Sequence, residues 1–208
     1  MKIIDINTWK RKEHFDFFSK FDEPFFGVVS EIDCTMASQK AKENGVSFFA
    51  WYLHKSLAAV NAIEEFRYRI LDDNIVIYDW IHASATIARE DETFAFSFVA
   101  FSEDFKMFVK DLKTEIEEVQ NSSGLRLNKG AIRHDVIHYS SVPWFKFTGL
   151  SHARSFQLPD SSPKITFGKI FTKNKRKMMP VSINAHHGLV DGIHVAKFLE
   201  LFQQLMNK

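Results

Sequence analysis

A single cysteine, Cys34, leaves no intrachain disulfide to form, so nothing in the cysteine usage points to an oxidising compartment. Charge of one sign is missing as well. The 27 Lys and Arg stand against 26 Asp and Glu, and a net +1 makes no electrostatic case for nucleic acid or an anionic membrane. No run approaches the ~18 apolar residues of a spanning helix; the best candidate, residues 48–60, carries His54 and Lys55. The amino terminus, Met1-Lys-Ile-Ile-Asp-Ile6, lacks a signal-peptide apolar stretch and cleavage site, so the cytoplasm is the expected location. Long linkers and repeats are absent too, and 208 residues fit one domain, 1–208, with a sizeable core. Small-molecule work is the class left standing.

What the chain has in excess is phenylalanine, 22 copies against 4 each of Trp and Tyr. Most of these rings must fill the core, because each is worth a few kcal/mol when buried. Some are free to line a pocket for a flat, apolar substrate.

The chemistry concentrates in Asn184-Ala-His-His-Gly-Leu-Val-Asp-Gly-Ile-His194, whose centre is His186-His187-x-x-x-Asp191-Gly192. A neutral imidazole takes a proton from a hydroxyl near neutral pH, and an acid four residues on can organise the loop that holds it. His-x-x-x-Asp alone is also compatible with a surface accident or half of a metal site; the full string is much rarer. It follows an apolar run at 178–183 that reads as a strand, and it precedes a helix-like segment at 192–202.

Periodicity and turn residues predict a first helix over 9–21, capped by Asn7 or Thr8, with Trp9, Phe17 and Phe21 on one face and Pro24 as its stop. A strand over 25–33 follows, then a short helix over 35–44 closed by Gly45 and a buried helix over 47–62. Residues 66–71 and 75–78 flank the turn Asp72-Asp73-Asn74 as a hairpin. Further strands are expected at 84–88, 93–101, 135–140, 144–147, 164–171 and 178–184. A helix capped by Ser102 carries Phe105, Phe108, Val109, Leu112, Ile116 and Val119 at helical spacing. The expectation is an α/β two-layer sandwich with a mixed, largely antiparallel sheet covered by helices.

Four separated segments then match one family in order and spacing: Trp9-Lys-Arg-Lys-Glu-His-Phe15, Glu65-Phe-Arg67 before an aspartate-rich turn, Pro143-Trp144 leading into Phe147-Thr148, and the 184–194 string. With these, the chain resembles the chloramphenicol acetyltransferases over nearly its whole length. The resemblance implies the CoA-dependent acyltransferase fold, acetyl-CoA as co-substrate, no metal, and a homotrimer whose sites lie between subunits. It makes His187 the general base that deprotonates the acceptor hydroxyl for direct attack on the thioester, and His186 a structural neighbour. Asp191 then pairs with Arg11 to fix the histidine loop; from the residues alone, Arg11 reads as one more charge on a solvated helix face. Thr166 falls where the family holds the tetrahedral intermediate through water, and Lys169 where it contacts the coenzyme. Phe17, Phe18 and Phe94 align near positions around the antibiotic.

Three departures accompany the match. Where the family carries an oxyanion-binding serine this chain has Gly149, with Thr148, Ser151, a water or the Gly149 N–H as substitutes. Phe96 replaces a much smaller residue and constricts the acceptor side, and Ser47 replaces a coenzyme-contacting lysine. An acetyltransferase for another small alcohol or amine, or a catalytically weakened binder, therefore stays open. The basic run Lys173-Asn-Lys-Arg-Lys177 reads as a charged hairpin tip.

Overall fold

Residues 1–127, 133–154 and 160–208 are described by the computed structural model. β1 (Lys2–Ile3) leads through turns into α1 (Lys12–Phe18), which is shorter than the 9–21 span predicted. Asp5 holds the preceding turn by accepting from the Asn7 N–H at 3.0 Å. The Arg11 side chain leaves the helix for the carbonyl oxygens of His187 and Gly188, at 3.1 and 3.4 Å. The apolar face also differs from the expected one. Phe17 and Phe21 are 59% and 46% exposed, whereas Phe15 packs on the core and Phe18 lies against His187.

β2 (Phe25–Asp33), α2 (Thr35–Glu43) and α3 (Phe48–Asn61) follow where the sequence puts them. Gly45 ends the α2 turn at φ +64°, and Ser47 caps α3 by accepting from the Ala50 N–H at 3.1 Å. The serine that replaces the family's lysine is thus a helix cap. A 3-10 turn (Glu64–Arg67) enters the hairpin of β3 (Tyr68–Leu71) and β4 (Asn74–Ile77), which with β1 forms a small sheet in the order β1-β4-β3. Asp72 and Asp73 take φ of 47° and 62°, the left-handed pair a two-residue hairpin requires.

The main sheet is built from β5 (His82–Ala88), β6 (Phe94–Phe96), β7 (Val136–Val142), β8 (Lys164–Gly168), β9 (Phe171–Lys173) and β10 (Arg176–His186) together with β2. α4 (Phe105–Gln120) lies between β6 and β7 in the chain, and α5 (Gly192–Met206) comes last. The strand order is β2-β10-β8-β7-β5-β6, with β9 beside β10. The β5/β7 and β7/β8 pairs are parallel and the others antiparallel, so the sheet is mixed and largely antiparallel.

Alternation along the strands gives the sheet two different faces. Tyr139, Ile165, Phe167, Val181 and Ile183 are buried on one, where the Phe167 ring sits 4.5 Å from Tyr52 of α3 and 6.0 Å from Phe202 of α5. The intervening residues make the other, helix-free face. There Phe96 of β6 pairs with Thr86, Ser140 with Thr166, and Thr166 with Ser182, so one row crosses the sheet.

Three local expectations are corrected. The strand predicted over 93–101 is regular only at Phe94–Phe96, with an isolated bridge from Val99 to Ala83. As an edge strand it is covered rather than extended: the outward N–H groups of Phe96 and Phe98 donate to the Leu125 carbonyl and the Glu115 carboxylate, at 3.1 and 3.0 Å. No strand forms over 144–147. Pro143 has no N–H for a ladder, and the chain turns away so that Phe147 can pack over Gly168, where a Cβ would come within 2.8 Å of its ring. Asp104, not Ser102, caps α4, because its carboxylate accepts from the Lys106 and Met107 N–H groups at 2.8 and 3.3 Å.

Candidate active site

His187 follows directly on β10, and its N–H donates to the Pro24 carbonyl at 2.8 Å, pinning the loop to the start of β2. Its ring stacks on Phe18 at 4.0 Å with a 3° interplanar angle and packs against Phe26 at 4.5 Å. The side chain is 33% exposed, and among the described residues neither ring nitrogen has an aligned hydrogen bond. Nδ1 lies 3.2 Å from Oδ1 of Asp191, close enough for the carboxylate to favour a proton on that nitrogen. A proton on Nδ1 leaves the Nε2 lone pair free to accept one.

Asp191 is held in turn by Arg11. Nη1 sits 2.5 Å from Oδ2, and the two side chains are only 11% and 26% exposed. With its remaining donors directed at the His187 and Gly188 carbonyls, the guanidinium ties both ends of the loop together. The bond from Arg11 holds the Asp191 carboxyl below the usual carboxylate range, so it stays ionised beneath His187. His186 is a different kind of residue. It is 3% exposed, accepts the Gly188 N–H at Nδ1 (3.1 Å), and burial lowers its pKa to about 4, so it is a neutral structural ring.

The remaining residues singled out by sequence lie elsewhere. Thr166 is 1% exposed on the helix-free face, whereas Phe26, which backs His187, pairs with Ala185 on the helix-covered face. Thr166 is also opposite Ser182, five residues before His187, or roughly 16 Å along the strand at about 3.3 Å per residue. One copy of the chain therefore does not bring His187 and Thr166 to the same substrate atom. Phe94 and Phe96 share the helix-free face at its far edge, three strands from Thr166 and roughly 14 Å away. Phe17 is exposed beside Phe18, and Thr148, Gly149 and Lys169 are exposed near the end of β8 away from Lys164. Gly149 is not in the left-handed region, and a Cβ there would meet nothing within 4 Å.

Two residues that the sequence left without a role lie on the helix-free face. His152 brings Nε2 to 3.5 Å from the Thr166 hydroxyl, and Arg154 stacks over the Phe25 ring at 3.5 Å. With Ser151, Lys164 and Asn184 they line a cleft of about 180 Å³. Drug-sized ligands occupy pockets of roughly 300–1,000 Å³, so this cleft is too small to enclose one by itself. No sequence signal marks these two residues, since nothing local predicts that 147–154 crosses the sheet. Among the described residues, no group of three His, Cys, Asp or Glu is placed to hold a metal ion.

Comparison with known proteins agrees with this architecture. A family model described as chloramphenicol acetyltransferase matches residues 1–203. The chloramphenicol acetyltransferase of Proteus mirabilis is 29% identical over 203 residues, covering 97% of this chain and 93% of that protein. A solved chloramphenicol acetyltransferase superposes with a TM-score of 0.91 at 31% identity, over 99% of each chain. The dihydrolipoamide acetyltransferase of Azotobacter vinelandii shares the fold alone, with a TM-score of 0.68 at 15% identity over 94% of this chain and 86% of that one. With a match that runs almost end to end, the chain belongs to the chloramphenicol acetyltransferase family of acyltransferases.

Proposed function

We propose that the protein transfers the acetyl group of acetyl-CoA to a hydroxyl of chloramphenicol, as a cytoplasmic, single-domain homotrimer with its active sites between subunits. The observation that carries this reading is the His187 ring, clamped between Phe18 and Phe26 with Asp191 behind Nδ1. Nε2 takes the proton of the acceptor hydroxyl as its oxygen attacks the thioester carbonyl, and the coenzyme A thiolate leaves without an acyl-enzyme. The imidazolium that results is stabilised by the Asp191 carboxylate 3.2 Å away.

A shared site accounts for the separation of the two groups of residues. The base faces outward beside the exposed Phe17, while Thr166, Phe94, Phe96 and the Thr148-Gly149 turn belong to a face that a neighbouring copy's base would approach. Thr166, supported by His152, is suited to steadying the developing oxyanion through water, and Phe94 and Phe96 to forming an apolar wall for the aromatic acceptor. Lys169 has the exposure and charge to meet a coenzyme phosphate.

Thiol release from acetyl-CoA with and without chloramphenicol, followed by a panel of small alcohols and amines, tests the proposal. Chloramphenicol-dependent release supports it. Turnover only on another acceptor would move the assignment to a related acetyltransferase, and tight binding without turnover would make the chain a binding homologue.

A further inference from the structure

Asp191 is gripped from two directions, and only one of them belongs to the Arg11 pair. Its own N–H, which precedes α5 and has no partner within the helix, donates to Nδ1 of His194 at 2.9 Å. That bond fixes the His194 tautomer: a nitrogen that accepts a backbone proton cannot carry one, so the ring proton is on Nε2. Nε2 faces Oε1 of Glu65 at 3.2 Å, and Glu65 lies in the 3-10 turn that leads into β3, 129 positions earlier in the chain. His194 is 8% exposed and burial lowers its pKa, in keeping with a neutral ring. At the third position of α5 it occupies the place that Glu or Gln takes in a capping box, where a side chain reaches back to the N-cap amide. Histidine adds what those residues lack, a rigid ring with a second nitrogen that is anchored to another element.

We infer that Glu65 and His194 form a positioning pair that sets the backbone of Asp191 beneath His187 and thereby decides which ring nitrogen of the base carries the proton. Neither residue touches substrate. Arg11 neutralises and orients the Asp191 carboxylate, but an arginine on a long flexible arm can follow that carboxylate if the main chain shifts; the His194 bond fixes the main-chain end, so the two restraints together leave one placement. Oδ1 is then held 3.2 Å from Nδ1 of His187, which keeps the proton on Nδ1 and the Nε2 lone pair toward the acceptor. The inference rests on the reading of His187 as the base, and the test separates the two.

Nitrogen-15 NMR of the His187 ring in the substrate-free protein reads the tautomer without any acceptor, and steady-state kinetics reads kcat and KM. In the unaltered protein His187 is expected as the Nδ1–H tautomer. His194→Phe should mix the tautomers and lower kcat about 10–100-fold, the loss typical of a catalytic group displaced by about an ångström, with KM for both substrates within about threefold. His194→Gln restores a capping acceptor and should recover most of both signals. Glu65→Ala leaves the cap but frees the ring, and should shift the tautomer and kcat in the same direction by a smaller factor, which keeps the test usable if His194→Phe does not fold. Folded variants with an unchanged His187 tautomer and kcat would overturn the inference. An unaltered protein that shows the Nδ1–H tautomer but no transfer to chloramphenicol would instead overturn the acceptor assignment and leave the positioning pair to be judged on the NMR signals.

Discussion

The corner that holds His187 and the helix-free face that holds Thr166 are built on opposite principles. Around His187 the supporting groups are tied down while the ring nitrogens themselves are left without an aligned hydrogen bond: Arg11 binds Asp191 and two carbonyls, Asp191 binds Arg11 and His194, His194 meets Glu65, and the His187 N–H donates to Pro24. Across the helix-free face the ion pairs gather at the cleft end, where Arg154 meets Glu23 and Lys164 meets Asp160, and the rest carries few side-chain contacts: a 3.5 Å approach between Thr166 and His152, an exposed Thr148-Gly149 segment, and the Phe94 and Phe96 rings on the edge strand. On the proposed reading, the difference teaches that a proton-accepting corner needs rigid placement that one chain can supply, whereas a face completed by a second copy can stay open until assembly.

The sharpest way to break the comparison is to remove the proposed base. His187→Ala should lower kcat by about 10²–10⁴ with the fold and assembly intact, since the proposed direct transfer offers no second nucleophile. His186→Ala, which removes a structural ring, should cost less in transfer at equal folded protein. Comparable rate losses in the two would erase the distinction between the paired histidines.

Gly149 probes the open side. Its backbone is ordinary and its Cβ position empty, so serine fits without strain. If the oxyanion lacks a side-chain donor, Gly149→Ser should raise kcat by up to about 10²–10³, and Gly149→Ala should not. Equal rates for the two variants would mean that His152, Thr148 or an ordered water already supplies the donor.

Acid should act on the tightly built corner through stability. The folded-state pKa of His186 is about 4 against an ordinary 6.5, so between those values the unfolded chain binds a proton that the folded one refuses. Stability is therefore full above about pH 6.5 and falls as pH drops toward 4, by about 3 kcal/mol for this residue at about 1.4 kcal/mol per unit. His138, beside the helix-free face, is also lowered to about 4 by burial and adds to the same slope. Denaturant unfolding across this range should show it, and His186→Phe should flatten it. A slope unaltered by that substitution would place the buried proton-refusing groups elsewhere.

Cutting the Arg11 pair is the smallest of these effects. Breaking a fully buried pair costs about 3–5 kcal/mol and an exposed one under about 1, and with Asp191 26% exposed the expected loss for Arg11→Ala is about 2 kcal/mol. Thermal unfolding should register it together with reduced turnover. An unchanged melting temperature with normal activity would contradict the account of the loop.

Much of this was legible in the residues. β2 is bounded by Pro24 and by the capping segment after Asp33, and the hairpin turn is spelled by Asp72 and Asp73; local chemistry fixes both. The His187 loop was legible because a strand, a paired-histidine string and a helix start adjoin in sequence. α1 is shorter than its periodicity predicts because Arg11 and Phe18 serve distant partners, and tertiary contacts decide where that helix begins. Glu65 and His194 stand inside recognised segments without a role, since nothing in the 128 intervening positions announces that they meet. That Thr166 and His187 open on different faces follows only from strand register.

The central claim, that each site is divided between two copies, is tested most directly by mixing two defective chains. His187→Ala removes the base, and Phe96→Arg puts a charge into the opposing wall at a half-exposed edge position that tolerates it. Each variant alone should be nearly inactive. In a cyclic trimer with sites between neighbours, every hybrid regenerates one intact site, so an equal mixture after reassembly should regain about a quarter of the original activity. A reassembled mixture no more active than its parents would contradict the divided site.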